Sequence, residues 1–427
     1  MRRPIVVIGT SLAAIAGLGG LWIAERAHRV GVEPAWSPAE RRDRAIGYFE
    51  AALARDPRNP MLKGQLIHRL ILRFGQQAEF GDLVRAEALA ASAVDLAADR
   101  SAALARLSGV QLMQHKFQPA VEAANRAVAA DTGSVEARGV LLEAAIAAGR
   151  YQTADSQAAR IAPTTVSGQV RRAAWLDARG ETETASRLMS QACRELDRSA
   201  AEPQVVAWCL TQMSGMIHAL RGPAEAERLL RGVLAREPGY RGALEGLANL
   251  ALAGGRAREA LSGFRSILSD AHPDLYLRVA EAWRLAGHPD SAAAAEARFV
   301  AITTLPANEP LFGNVLALYY AERGDPAGRD SALAIARREV GRRPTTESFD
   351  LLAWVLYRRG EYSAARVAAD RSLAWGAPNA TMLYHRGRIL EALGRGEEGR
   401  RLIAEATATP SLLAPHARAD RRRARAG

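Results

Sequence analysis

The sequence predicts an all-α protein, a solenoid of about ten stacked helix–turn–helix repeats preceded by a single N-terminal membrane-spanning helix. Three observations carry this expectation. A turn-like position, usually glycine, recurs at 81, 115, 149, 180, 221, 255, 287, 324, 360 and 394, a mean spacing close to 35 residues. Between these positions the apolar residues follow helical spacing, and no stretch alternates as a strand would. Finally, Pro4 to Ala24 is a run of 21 residues without a charge, placed directly behind Arg2 and Arg3.

That run is long enough to cross a bilayer, because 1.5 Å of rise per residue gives roughly 30 Å. Residues 1–25 therefore read as a transmembrane anchor. A cleaved signal peptide is the rival reading, since Ala14-Ile15-Ala16 is a small-residue cleavage pattern. Apolar sequence continues past that point to Trp22 and Ile23, which suits a retained anchor. Arg2 and Arg3 favour an N-terminus on the cytoplasmic side, with all later residues outside. Gly9, Ala13 and Gly17 recur every fourth position and offer a face through which two spans could pair as a homodimer. Residues 26–43, with Pro34, Ser37 and Pro38, read as a linker. A lone helix at 45–54, stopped by Asp56-Pro57, then opens the repeats.

One unit serves as the ruler. Leu352 and Ala353 stand eight and seven positions before Gly360, Ala365 stands five after it, and Ser372 twelve after. Gly394 carries the same frame, with Gly387 before it and Gly399 and Ala406 after it. So do Gly255 with Leu247, Ala248, Ala260 and Ile267, Gly149 with Leu141, Ala154 and Ile161, and His115 with Leu107, Ser108, Ala120 and Ala127. Two antiparallel helices approach closely only where one presents a small side chain to a bulky one, and glycine supplies the left-handed cap between them. A single pair cannot bury its apolar stripe, so neighbours must stack. About seven extra residues between 180 and 221 read as a loop at 197–203.

This pattern resembles the tetratricopeptide repeat (TPR) family over residues 44–408. The resemblance implies a right-handed superhelix whose first helices line a concave groove that binds partner peptides or helices. Carried over by position, the groove-facing residues are Glu245, Asn249, Glu281, Arg284, Asn314, Asp350, Trp354, Tyr357, Arg358, Tyr384 and Arg388. Trp354, Tyr357 and Tyr384 would supply rigid contact area, and Arg358 and Arg388 forks for carboxylates; packing of the aromatics between units is the other reading. The family's clamp for chaperone C-termini keeps only Asn249, with Arg278 where its next asparagine belongs.

The net charge of +11 on 427 residues looks like that of a nucleic-acid binder until it is located. Much of it sits at the two ends, and the body lacks the dense basic stripe with stacking aromatics that tracks phosphates. Residues 409–427 read as a basic, disordered tail. Two cysteines, Cys193 and Cys209, cannot build a zinc or iron–sulfur site. They admit two readings, a disulfide between neighbouring units or two buried thiols. The eight histidines show no i, i+4 pair, and no phosphate loop, nucleophile elbow or zinc-helix motif occurs. No catalytic residue, cofactor or metal is therefore expected.

The expectation is a non-enzymatic protein–protein interaction scaffold in the bacterial cytoplasmic membrane. Its repeats would be periplasmic, and it would assemble an envelope complex. The alternative is a regulatory or sensing domain on the cytoplasmic face, with its Arg-rich tail on anionic lipid or nucleic acid.

Overall fold

The computed structural model describes residues 38–426 apart from 78–79, 200, 306–307, 324 and 409–411. The expected anchor 1–25 with its dimer face, most of the linker, and the turn at Gly324 lie outside the described residues. Among those described, no helix is long and apolar enough to cross a membrane. The described residues form 22 helices and no strand. They divide into two compact units, the second beginning at Arg172.

The first unit holds α1 (Pro38–Arg55), α2 (Pro60–Gln77), α3 (Phe80–Ala93), α4 (Arg100–Met113), α5 (Phe117–Ala130), α6 (Val135–Ala147) and α7 (Tyr151–Arg160). The division falls within α8 (Val166–Ala178). Pairs α2–α3, α4–α5 and α6–α7 are antiparallel hairpins with a common core. Leu70, Leu104 and Val110 are bulky knobs from first helices, and Ala86, Ala120 and Ala124 are the flat second-helix surfaces they meet. His115 closes the α4–α5 turn at φ 57°, the left-handed conformation that glycine holds at 149, 180, 255, 287, 360 and 394. Its positive φ explains why a histidine fits the repeat frame there.

The second unit holds α9 (Thr182–Arg198), α10 (Pro203–Arg221), α11 (Pro223–Arg236), α12 (Arg241–Ala253), α13 (Ala257–Ile267), α14 (Asp274–Leu285) and α15 (Pro289–Thr303). It continues with α16 (Glu309–Arg323), α17 (Pro326–Arg342), α18 (Thr346–Arg358), α19 (Tyr362–Ser372), α20 (Ala380–Ala392), α21 (Gly396–Ala406) and α22 (Pro415–Ala426). From α10 to α21 the helices form six hairpins, and the first helices α10, α12 and α14 pack on one another in succession, as do α16, α18 and α20. The second helices make no comparable mutual contact, so the first helices lie on the inside of the curve. Within the last hairpin, Gly387 and Gly399 allow the closest approach. A Cβ on either would lie under 3 Å from the other's carbonyl oxygen. The unit curls far enough for Ala377 N–H to donate to Ala178 O at 3.0 Å, with Arg179 over the Trp375 ring.

Four local expectations need correction. The linker ends earlier than 43, because Pro38 sits at the first position of α1, where its fixed φ and missing N–H are tolerated. Gly81 is not a turn residue; it lies inside α3. At 221 the chain is still helical, and the left-handed turn falls on Gly222 at φ 90°. The insertion after 180 is no long loop, since α9 and α10 extend to 17 and 19 residues and absorb it. Their amphipathic faces carry the disulfide between Cys193 and Cys209, whose Cα atoms are 5.6 Å apart.

The tail at 409–427 is also corrected. Residues 415–426 form α22, and Leu413, Ala417 and Asp420 are buried. Leu413 lies just ahead of the helix, and Ala417 and Asp420, three apart on it, share one face that seats on the first helices.

Candidate functional site

Three first helices, α14, α18 and α20, present polar side chains to the inside of the second unit, and α22 lies against them. Asp420 enters a cluster of donors. Tyr384 O–H donates to its Oδ2 at 3.1 Å, Arg388 Nε lies 3.2 Å from the same oxygen, and Arg358 Nη1 lies 3.5 Å from Oδ1. Burial, and then the Asp420 charge, push the Tyr384 hydroxyl up from its ordinary value, so it stays a donor. Two residues earlier on α22, Arg418 Nη2 lies 3.5 Å from Glu281 of α14. Ala414 N–H, at the start of the segment, donates to Thr381 Oγ1 at 2.9 Å.

An aromatic and imidazole stack forms the floor. Trp354 is fully buried, lies 4.1 Å from the His385 ring at 18° and 4.9 Å from Tyr357 at 23°, and donates from Nε1 to Glu322 at 2.9 Å. His385 Nδ1 is 3.0 Å from Asp350 Oδ1, and its Nε2 is 2.8 Å from His416 Nε2 on α22. A carboxylate oxygen accepts, so the N–H between His385 and Asp350 sits on His385 Nδ1.

Seven of the eleven candidate groove residues are therefore brought together here: Glu281, Asp350, Trp354, Tyr357, Arg358, Tyr384 and Arg388. Two of them, Trp354 and Tyr384, are not exposed contact area, because α22 covers the face they would have presented. The other four lie elsewhere. Asn249 accepts from Arg278 at 2.9 Å, and burial raises the nearby Glu245 carboxyl, partly offset by Arg278. Arg284 pairs with Glu296, which also takes Arg323 at 2.9 Å, tying three successive helices. The Asn314 amide nitrogen donates to Glu339 at 2.9 Å and its oxygen accepts from Arg343.

Sequence reasoning missed Glu322, Thr381, His385, His416, Arg418 and Asp420. One signal was available. Asp420 is the single acid among five arginines in the last ten residues, an odd composition for a tail that has only to remain solvated. Among the described residues no group of histidine, cysteine and carboxylate side chains could hold a metal ion.

No protein-family model and no curated protein sequence matches the chain. Solved helical structures do. Yeast Tom70 is 13% identical, with 87% of this chain and 82% of that one covered and a TM-score of 0.39. A human IFIT1 dimer with PPP-AAAA is 14% identical, covering 74% and 72%, with a TM-score of 0.47. Naa15/Naa10 bound to HypK-THB is 15% identical, covering 87% and 61%, with a TM-score of 0.28. With scores below 0.5, the solenoid assignment rests on this chain's own hairpins, their spacing and their left-handed turns.

Proposed function

We propose that the chain is a non-enzymatic interaction scaffold of TPR-like hairpins, held at a bacterial cytoplasmic membrane by residues 1–25, with its repeats on the periplasmic side, where it takes part in assembling an envelope complex. The observation that carries the scaffold reading is the lining of the first helices in the second unit. They hold a whole helix, α22, by paired charges and apolar seats, which is the chemistry of recognising a protein segment rather than of transforming a small molecule. The Cys193–Cys209 disulfide supports the compartment, since such bonds persist in oxidising surroundings.

Two measurements test this. Alkaline phosphatase fused after residue 427 should be active and a fluorescent protein dark; the reverse overturns the periplasmic reading. A photo-cross-linking residue at Leu285, exposed on a first helix, should give discrete protein adducts in cells, while one at Val367, exposed on a second helix, should not. Adducts from neither position, or from Val367 alone, overturn the scaffold reading of the inner face.

A further inference from the structure

The geometry points to a specific kind of partner: a helix that carries an arginine and, two positions on, a carboxylate, with a small apolar residue three positions before that carboxylate, and that competes with α22 for the face of α14, α18 and α20. This rests on the scaffold reading and deepens it. The face is matched to those groups in order. Glu281 receives a cation, and Arg358, Arg388 and the Tyr384 hydroxyl converge on one carboxylate. Thr381 takes the N–H at the head of the segment. A small residue at 417 is required because Trp354, Tyr384 and Leu383 lie beneath, packed with Ala417 and Leu413 in one apolar cluster.

Two features make α22 an exchangeable occupant of this face. Its mean composition is strongly polar, Pro415-His416-Ala417-Arg418-Ala419-Asp420-Arg421, so it is held by one narrow face instead of a full apolar stripe. Its hold is also electrostatic at both points, and a partner that offers the same pair of charges can exchange with it at little net cost. The helix that seats on this face from within the chain thereby defines the chemistry of one that seats from outside. Because α22 is tethered, its effective concentration is of millimolar order, so an external helix must bind tightly or arrive when α22 is unseated.

The test uses the full chain and a labelled synthetic peptide of residues 411–426 as the external helix. Ala417→Glu puts a charge where the side chain is fully buried, unseating α22 without altering the face. The variant should bind the peptide at least tenfold more tightly than the unsubstituted chain. The gain should vanish with Arg388→Glu in the chain or Asp420→Lys in the peptide. Should Ala417→Glu lower the melting of the whole unit, Arg418→Glu, which sets like charges against Glu281, unseats α22 by a different route. Equal binding to the unsubstituted chain and to both unseated variants overturns the proposal, as does equal binding of the Asp420→Lys peptide. Persisting adducts at Leu285 beside a failed peptide assay would reject this partner chemistry and leave the scaffold reading standing. Absent adducts beside a successful assay would do the opposite.

Discussion

The Tyr384 hydroxyl donates to Asp420 across 36 residues of chain, and through it the last helix is fastened to the last hairpin. The bond is charge-assisted, and two arginines share the carboxylate. Replacing Asp420 with Ala leaves Arg358 and Arg388 facing each other over a buried phenol. The expected loss is about 1–3 kcal/mol of local stability, in the range of a hydrogen bond to a charged group. It should be read as faster trypsin cleavage at Arg418 and Arg421, with circular dichroism of the body unchanged. An unchanged cleavage rate would show that Asp420 does not hold α22.

Trp354 and Arg388 should separate cleanly. Trp354 is fully buried and stacked on both sides, so Trp354→Ala should cost about 3–5 kcal/mol and lower the melting temperature of the second unit. Arg388 is a quarter exposed and pairs with Glu391 at 2.8 Å as well as with Asp420. Arg388→Ala should release α22 and change global melting little. Similar melting for the two variants would place Trp354 outside the core.

How far the sequence was legible follows from these residues. Hairpin spacing could be read because each turn needs a left-handed residue and each crossing a small one, so position alone carries the signal at Gly360 or Gly394. First-helix positions around 350–388 could be read for the same reason. Their burial could not, since Trp354 and Tyr384 become core only when a segment from residues 412–421 arrives, and that segment has no repeat frame to announce it. Charge composition misled there: a run of arginines reads as solvated tail, while the deciding residues are Leu413, Ala417 and Asp420 between and before them. The Gly81 expectation failed because a glycine in the first turn of a helix has no spacing signature that tells it from one in the turn before.

In the first unit, Gly139 makes room for Arg171. A Cβ at 139 would lie 2.0 Å from Arg171 Nε, and the guanidinium pairs with Glu143 at 3.1 Å and Glu136 at 2.8 Å. Both Arg171 and Glu143 are almost wholly buried. Gly139→Val should therefore expel Arg171 and strand Glu143, at about 3–5 kcal/mol, the cost of breaking a buried pair. Gly139→Val with Arg171→Met and Glu143→Leu should recover much of it. A Gly139→Val variant as stable as the parent would refute the close packing.

Reduction supplies another test of the second unit. The Cys193–Cys209 bridge spans 16 residues and ties α9 to α10. Closing a loop of that size stabilises by about 3 kcal/mol through the unfolded chain. Melting of the Cys193→Ser, Cys209→Ser double variant should fall by that equivalent and become insensitive to reductant, whereas the parent should melt lower once reduced. A parent indifferent to reductant would mean the bridge contributes nothing.

Acid should act on the second unit through His218 and His272, both held near a pKa of about 4 from an ordinary 6.5. Burial is the first cause in each case, and the Arg241 charge adds to it at His272. A base whose folded pKa is depressed is stabilising while neutral; that stability is complete above pH 6.5 and is lost as pH falls toward 4, because unfolding then takes up a proton. Asp177 works in the opposite sense. Burial raises it to about 6, so its share is complete below the unfolded carboxyl value and lost as pH rises through 6. Comparing variants isolates the histidine. His218→Gln should melt below the parent at pH 7.5, since a packed, buried imidazole is lost. That gap should then narrow steadily as the pH is lowered from 6.5 to 4.5, because only the parent has the proton uptake to suffer. A gap independent of pH would mean that His218 keeps its ordinary pKa in the folded chain.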